Sequence, residues 1–233
     1  MKPLLRTSAA HVFVDDITQP SLTEDDFAHL SKSLRLRDGE TVSTSDGNGS
    51  WRLCVWRNTQ LLEVASDVET RQRLDPQLAV AVSPVKGDRT DLAVEKMTEI
   101  GVDEIIVLAP VRRSVVRWDE RKFAQNIDRL SRIARGAAMQ SRRLYVPRVV
   151  GPVTLAELLK RSDVAVADPV GTTDVAAVHT IVIGPEGGFD PDEYTADTPC
   201  VSLGASILRA ETAAIVAATL MVAHRARRSD HTG

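Results

Sequence analysis

Two short stretches hold the residues that could do chemistry. Ile183-Gly184-Pro185-Glu186-Gly187-Gly188-Phe189 and Leu203-Gly204-Ala205-Ser206-Ile207-Leu208-Arg209-Ala210-Glu211-Thr212-Ala213 each end an apolar run in a glycine-bearing turn. Gly184, Gly187 and Gly188 allow positive φ and a close approach of ligand to backbone. Pro185 stiffens the turn and removes a donor. Glu186 or Glu211 could accept a proton, and Arg209 could stabilise a developing anion. Either turn alone reads as a tight loop. As a pair at strand ends they edge a cleft with backbone N–H and C=O groups, where α/β proteins hold small molecules. No Gly-Lys-Ser/Thr follows, so neither is a phosphate loop, and the glycine spacing is not that of a dinucleotide fingerprint.

The elements that position these turns follow from the pattern around them. Val178–Ile183 and Cys200–Leu203 read as buried strands, and a helix runs from about Arg209 to Arg228. Upstream, strand and helix alternate from Leu78. Leu78–Val82 is a strand, and Asp88 or Thr90 starts a helix with Leu92, Ala93, Met97 and Ile100 that Gly101 ends. Glu104–Ala109 is the next strand. Asp119–Gln140 is an amphipathic helix with Phe123, Ile127, Leu130, Ala134 and Ala137 on one stripe. Thr154 and Glu157 form a capping box. Val164–Ala167 is a strand ending at Asp168-Pro169, where Asp168 either forms a turn or faces a ligand. The expected class is α/β with a parallel sheet.

Residues 1–72 differ. A strand at Val12–Val14, a helix capped by Ser21 or Thr23 with Phe27, Leu30 and Leu34, and strands at Thr41–Ser45, Trp51–Trp56 and Leu61–Ala65 predict a small β-barrel domain. Arg71–Gln77 reads as the linker, so the division is 1–72 and 73–233.

The 233 residues are 43% hydrophobic, enough for a sizeable core, and lack an apolar run of membrane-spanning length. The start, Met1-Lys2-Pro3-Leu4-Leu5-Arg6, lacks a secretory apolar stretch. Two cysteines and scattered histidines (His11, His29, His179, His224, His231) predict a cytoplasmic protein without metal. The net charge of −3 is unevenly spread. Arg112–Arg148 holds 11 basic and three acidic residues, a local +8, while Val149–Glu211 holds three basic and ten acidic, a local −7. That asymmetry points to a basic face for a polyanion, with Arg112, Arg113 and Arg117 in a loop and Arg121, Lys122, Arg129, Arg132 and Arg135 on a helix.

The two turns together resemble the signature loops I-G-P-E-G-G-F and L-G-x-x-I-L-R-x-E-T-A of bacterial RNA methyltransferases in the SPOUT superfamily. More narrowly they are similar to the family that methylates N3 of a uridine in 16S ribosomal RNA, and every fixed position of both loops is present. Three further runs are similar to that family's patterns. His29–Glu40 matches H-x-x-x-V-L-R-x-x-x-G-D, with Ser33 for Val and Glu40 for Asp. Lys86 and Glu95–Gly101 match a lysine followed by E-K-x-x-E-L-G. Gln140-Ser141-Arg142-Arg143 with Pro147 matches E-Q-S-x-R-x-x-x-P, with Met139 for Glu.

The resemblance implies a SPOUT-type C-terminal domain with a parallel sheet and a trefoil knot, preceded by a PUA-like barrel, in a homodimer. The knot rests on the resemblance alone, since ordinary connection rules disfavour it. S-adenosylmethionine would be held by Ile183, Gly184, Pro185, Glu186, Gly187, Gly188, Leu203, Gly204, Ile207, Leu208, Glu211, Thr212 and Ala213. Ile183, Leu203, Ile207 and Leu208 would form a dry wall. Arg209 and Glu186 would act on the reacting base. Lys32, Arg35, Arg37, Lys86, Arg112, Arg113, Gln140 and Arg143 would meet RNA. Two other readings are a ribose 2′-O-methyltransferase of the same superfamily and a non-catalytic RNA-binding ribosome-assembly factor.

Overall fold

The computed structural model describes residues 3–230; Met1, Lys2 and His231–Gly233 lie outside the described residues. The chain forms two compact units, Met1–Arg73 with Gly136–Val146, and Leu74–Arg135 with Pro147–Gly233. The division at 72/73 read from the sequence does not anticipate that 136–146 groups with the N-terminal residues.

The first unit opens with helix α1 (Pro3–Thr7) and strand β1 (Ala10–Phe13), followed by helix α2 (Glu24–Ala28) and a π-helical turn at His29–Ser33. Thr23 caps α2, its Oγ1 accepting from Asp26 N at 3.1 Å. Strands β2 (Thr41–Ser45), β3 (Ser50–Val55), β4 (Glu63–Val64) and β5 (Glu69–Thr70) complete it. The sheet runs β1-β2-β3-β4, with β5 also on β3; only β1 and β2 are parallel. Val12, Leu30, Val42 and Trp56 are fully buried in its core. Leu34, expected on the buried stripe, is 46% exposed because the π turn shifts the helical phase beyond His29.

Met139 packs against this core. A carboxylate at that position would have to leave water for apolar neighbours, so the departure from the family pattern suits the packing.

The Arg142-Arg143 segment is tied to the N-terminal residues by buried polar groups. Arg142 donates to the carbonyls of Leu5 at 3.0 Å and Ser8 at 2.6 Å. His11, 4% exposed, donates from Nε2 to the Arg143 carbonyl at 3.0 Å, which leaves Nδ1 to accept from Ser43 Oγ at 2.9 Å. Burial lowers the His11 pKa to about 4. The folded ring is therefore neutral where the unfolded one, near 6.5, begins to charge. This contribution is complete above pH 6.5 and is lost as pH falls from 6.5 towards 4, by up to about 3 kcal/mol. Urea unfolding at pH 7.5 and pH 5 should show a lower midpoint at pH 5, and His11→Gln should flatten that difference.

The second unit alternates strand and helix. Its elements are β6 (Ala79–Val82), α3 (Arg89–Ile100), β7 (Glu104–Leu108), α4 (Glu120–Gln140, whose residues from Gly136 group with the first unit), β8 (Arg148–Val153), α5 (Leu155–Leu158), β9 (Val164–Thr172), β10 (Thr180–Ile183), β11 (Cys200–Val201) and α6 (Ala210–Asp230). Every pairing in the six-stranded sheet, ordered β11-β9-β10-β6-β7-β8, is parallel. The predicted α/β class with a parallel sheet is what the structure has. Strands β6, β10 and most of β7 are buried, as near-continuous apolar runs in a two-sided parallel sheet should be. Helices α3 and α6 pack on each other, and α6 also lies on β6 and β10. Ala213, Ala214, Ala217 and Ala218 face this core and allow the close approach. The capping box at Thr154 and Glu157 is present.

Candidate active site

The strand order turns back between β6 and β10: the chain moves one way from β6 through β7 to β8, then returns to β9 and β10 on the other side. Loops leaving the carboxyl ends of two such strands diverge and open a crevice. The turn 184–188 leaves β10 at that point. A cavity of about 370 Å³ lies there, lined by both predicted turns. That volume lies within the range of pockets that hold drug-sized ligands.

Of the predicted cofactor residues, Ile183, Gly184, Pro185, Glu186, Gly187, Gly188, Leu203, Gly204, Ile207, Leu208 and Ala213 line the cavity. Glu211 and Thr212 do not: Glu211 is 9% exposed in the first turn of α6, and Thr212 is exposed. The expected dry wall is uneven. Ile183 is buried, Leu203 and Leu208 are half-buried, and Ile207 is 91% exposed at the mouth. A side chain on the free face of a short loop has no second layer to cover it.

The turn closes through Gly188 N donating to Pro185 O at 2.8 Å, with Gly188 at φ +70°. Gly184 is required by crowding. A Cβ there would lie 2.9 Å from Cε2 of Phe189, whose ring packs edge-on against Tyr194 at 6.0 Å between centroids. The Tyr194 hydroxyl donates to Asp168 Oδ2 at 2.8 Å, and Asp168 Oδ1 accepts from Val170 N at 2.9 Å. Asp168 thus lines the cavity, but it lies inside β9, which runs on to Thr172 instead of ending in the expected turn at Asp168-Pro169. Burial, reinforced by the Asp168 carboxylate, pushes the Tyr194 hydroxyl up to about 12. Tyr194 was not singled out from the sequence; an aromatic among acids in a loop carries no local signal.

Arg209 precedes α6 and its carbonyl accepts from Ala213 N at 2.8 Å. Its side chain is exposed and takes no partner among the described residues. Both chain neighbours, Leu208 and Ala210, line the cavity. Glu186 is an ion pair of Arg89, a residue the sequence reading did not single out. Arg89 Nη1 is also 4.0 Å from Glu211 Oε2, a buried oxygen with no hydrogen-bond partner among the described residues.

The predicted RNA-facing residues divide. In the first unit Lys32, Arg35, Arg37 and Gln140 are exposed and Arg143 is half-buried; in the second Lys86 is exposed. Arg112 and Arg113 are instead committed to the acidic loop after the glycine turn. Arg112 reaches Asp192 at 2.5 Å and donates its backbone N–H to Glu193 at 2.8 Å. Arg113 pairs with Asp190 and donates to the Gly187 carbonyl at 3.0 Å. The charge asymmetry read along the chain is thus in part internal pairing. Arg129 on α4 likewise pairs with Asp91. Among the described residues no group of three or more His, Cys, Asp or Glu could hold a metal ion, and no helix is long and apolar enough to cross a membrane.

Comparison with known proteins agrees with this geometry. The RNA methyltransferase domain family matches residues 72–222. A ribosomal RNA small subunit methyltransferase E of Rickettsia conorii is 32% identical over 229 residues, covering 84% of this chain and 86% of its own. The protein of that name from Mycobacterium bovis is 31% identical over 215 residues, covering 83% and 82%. A solved Legionella pneumophila structure, in complex with the bound cofactor SAM, is similar at a TM-score of 0.76 and 25% identity, covering 91% of this chain and 96% of that one. The match over most of the second unit and identity above three in ten over more than four fifths of each of these two relatives place the chain in the RNA methyltransferase family, with the ribosomal RNA small subunit methyltransferase E proteins.

Proposed function

We propose that this chain transfers a methyl group from S-adenosylmethionine to N3 of a uridine in 16S ribosomal RNA. The chain is a methyltransferase of small-subunit ribosomal RNA, as its curated relatives are named, and it uses S-adenosylmethionine, the cofactor bound in the similar Legionella pneumophila structure. The choice of N3 comes from the wording of the two signature loops. The observation that carries the reading is the cavity built from both loops beside an arginine, Arg209, that is unpaired among the described residues. Its volume and its mix of apolar walls with Asp168, Glu186 and Tyr194 fit an amphipathic cationic cofactor.

The cofactor, when bound, supplies a methyl on a cationic sulfur. The apolar part of the cavity excludes water from the transfer, and the two backbone turns hold the reactants in line. Uracil N3 must shed its proton, which passes to solvent water, before the N3 lone pair attacks. Glu186 is engaged by Arg89, which favours Arg209 as the group that acts on the base. Its guanidinium donates to the carbonyl oxygens where the uracil anion places its charge. The first unit serves as a PUA-like RNA-holding domain, with Lys32, Arg35 and Arg37 on phosphates, which position without specifying. A trefoil knot around the two loops, a homodimer, a metal-free reaction and a cytoplasmic location complete the proposal.

The test is methylation of small ribosomal subunits from a strain lacking this gene, with the nucleosides of a nuclease digest identified by mass spectrometry. The expected product is 3-methyluridine. A ribose-methylated nucleoside would replace the proposal with the 2′-O reading, and RNA binding without S-adenosylmethionine binding would replace it with the assembly-factor reading.

Gly184→Val should weaken S-adenosylmethionine binding. The added carbons displace the Phe189 ring, and with it Tyr194 from Asp168. An overpacking cost of about 1–3 kcal/mol corresponds to roughly 5- to 150-fold in Kd, read by calorimetric titration.

A further inference from the structure

We infer that Arg89 and Arg113 are positioning residues that clamp the Gly184–Gly188 turn from two sides and so set the shape of the cofactor cavity. This rests on the cofactor reading above. The turn is poor at holding itself. Three of its five residues are glycine, and its internal closure is the single bond from Gly188 N to Pro185 O. Such a segment has much conformational freedom to lose on ordering, yet it forms one wall of the cavity.

Each arginine arrives from a loop on the far side of the strand-order reversal. Arg89 is the first residue of α3, after the loop from β6. It pairs with Glu186, and its Nε donates to the Lys86 carbonyl at 3.2 Å. A cation is disfavoured at a helix N-terminus, so this placement needs carboxylates to offset it. Glu186 is one. Glu211 is another, with a buried Oε2, unpartnered among the described residues, 4.0 Å from Arg89 Nη1. Arg89 thus lies between the glycine turn and the start of α6, the two segments that border the cavity.

Arg113 follows β7. It holds the Gly187 carbonyl at 3.0 Å and the Asp190 carboxylate beyond the turn. The packing is close enough that a Cβ on Gly187 would lie 3.3 Å from Arg113 Cβ. Neither arginine lines the cavity. Their effect on the cofactor must therefore pass through the turn. The signature loop contains neither residue, so its shape depends on partners it does not encode.

The experiment measures S-adenosylmethionine affinity by calorimetry, and KM for cofactor and for ribosomal subunits, in wild type, Arg89→Met, Arg113→Met, Glu186→Gln and the Arg89→Met/Glu186→Gln double variant. Each arginine variant should raise Kd and KM for the cofactor about tenfold, as loss of a charge-assisted bond would. KM for the subunits and its salt dependence should not move. The double variant should lose little beyond Arg89→Met alone, because both changes break one contact. Arg89→Lys and Arg113→Lys should fall between wild type and the methionine variants, and they carry the test if the methionine variants do not fold. Cofactor affinity unchanged in the variants overturns the inference. So does a loss confined to the subunits with a shallower salt slope, which would make Arg113 a phosphate contact. Fully additive losses at Arg89 and Glu186 overturn the Arg89 half. A wild-type protein that binds no S-adenosylmethionine overturns the functional reading and the inference with it.

Discussion

Arg209→Ala should cut kcat by roughly 100- to 1000-fold, about 3–4 kcal/mol, the loss typical of removing one preorganised donor at a developing anion. Kd for S-adenosylmethionine should stay within about twofold of wild type, since no interaction made in the cofactor complex is removed. The geometry separates the two effects. Leu208 and Ala210 line the cavity, whereas Arg209 does not. Its guanidinium is exposed and unpaired among the described residues, at a helix start where a cation is disfavoured. No contact within the described chain accounts for an arginine there, and a negatively charging base accounts for it well. Single-turnover methylation with saturating cofactor reads kcat, and calorimetry reads Kd. Arg209→Lys should recover little, because an ammonium presents no planar fork to two carbonyl oxygens. Equal loss of affinity and turnover would instead make Arg209 part of the cavity's construction.

What the sequence discloses depends on the range over which each signal acts. Helix α4 follows from its stripe, with Phe123, Leu130 and Ala134 buried as the spacing predicts. Strand β2 covers the predicted Thr41–Ser45, and Gly101 ends α3 at φ +121°. Those signals are local. Strand β8 was missed because Gly151-Pro152 interrupts its apolar run, and those residue types usually break strands. The π turn at His29–Ser33 was missed because its pattern differs from an α-helix by one residue of phase.

The site divides in the same way. Glycines and short motifs locate the two turns, and both turns line one cavity. Arg89 and Arg113 hold the first turn, and Tyr194 binds Asp168 on the cavity wall, through partners distant in sequence, and no spacing rule reports such pairs. Summed charge misleads for the same reason. The basic run at Arg112-Arg113 and the acidic run at Asp190–Glu193 are counted apart along the chain but pair with each other in the fold.

The largest expected loss of stability is at the other end of α6. Arg225 and Asp103 form a buried ion pair at 2.5 Å, 5% and 6% exposed. The same Asp103 oxygen accepts from Leu78 N at 3.0 Å, and Arg225 donates further to the carbonyls of Pro76 at 3.0 Å and Gly101 at 3.1 Å. One guanidinium thus joins α6 to the segments leading into β6 and β7. Asp103→Ala strands that buried cation and one strand-entry N–H, and should cost about 3–5 kcal/mol in urea unfolding. Replacing both partners with apolar side chains, Asp103→Leu with Arg225→Met, should recover most of the loss, because neither charge then has to leave water. Turnover per folded molecule should change little in either variant. The start of α6, which carries Arg209 and the cavity-lining Ala210 and Ala213, is held by its own packing on β6 and β10. A variant that kept its stability would show that water reaches Arg225. One that lost turnover in the folded state would show that the ion pair sets the position of α6 at the site as well as securing its far end.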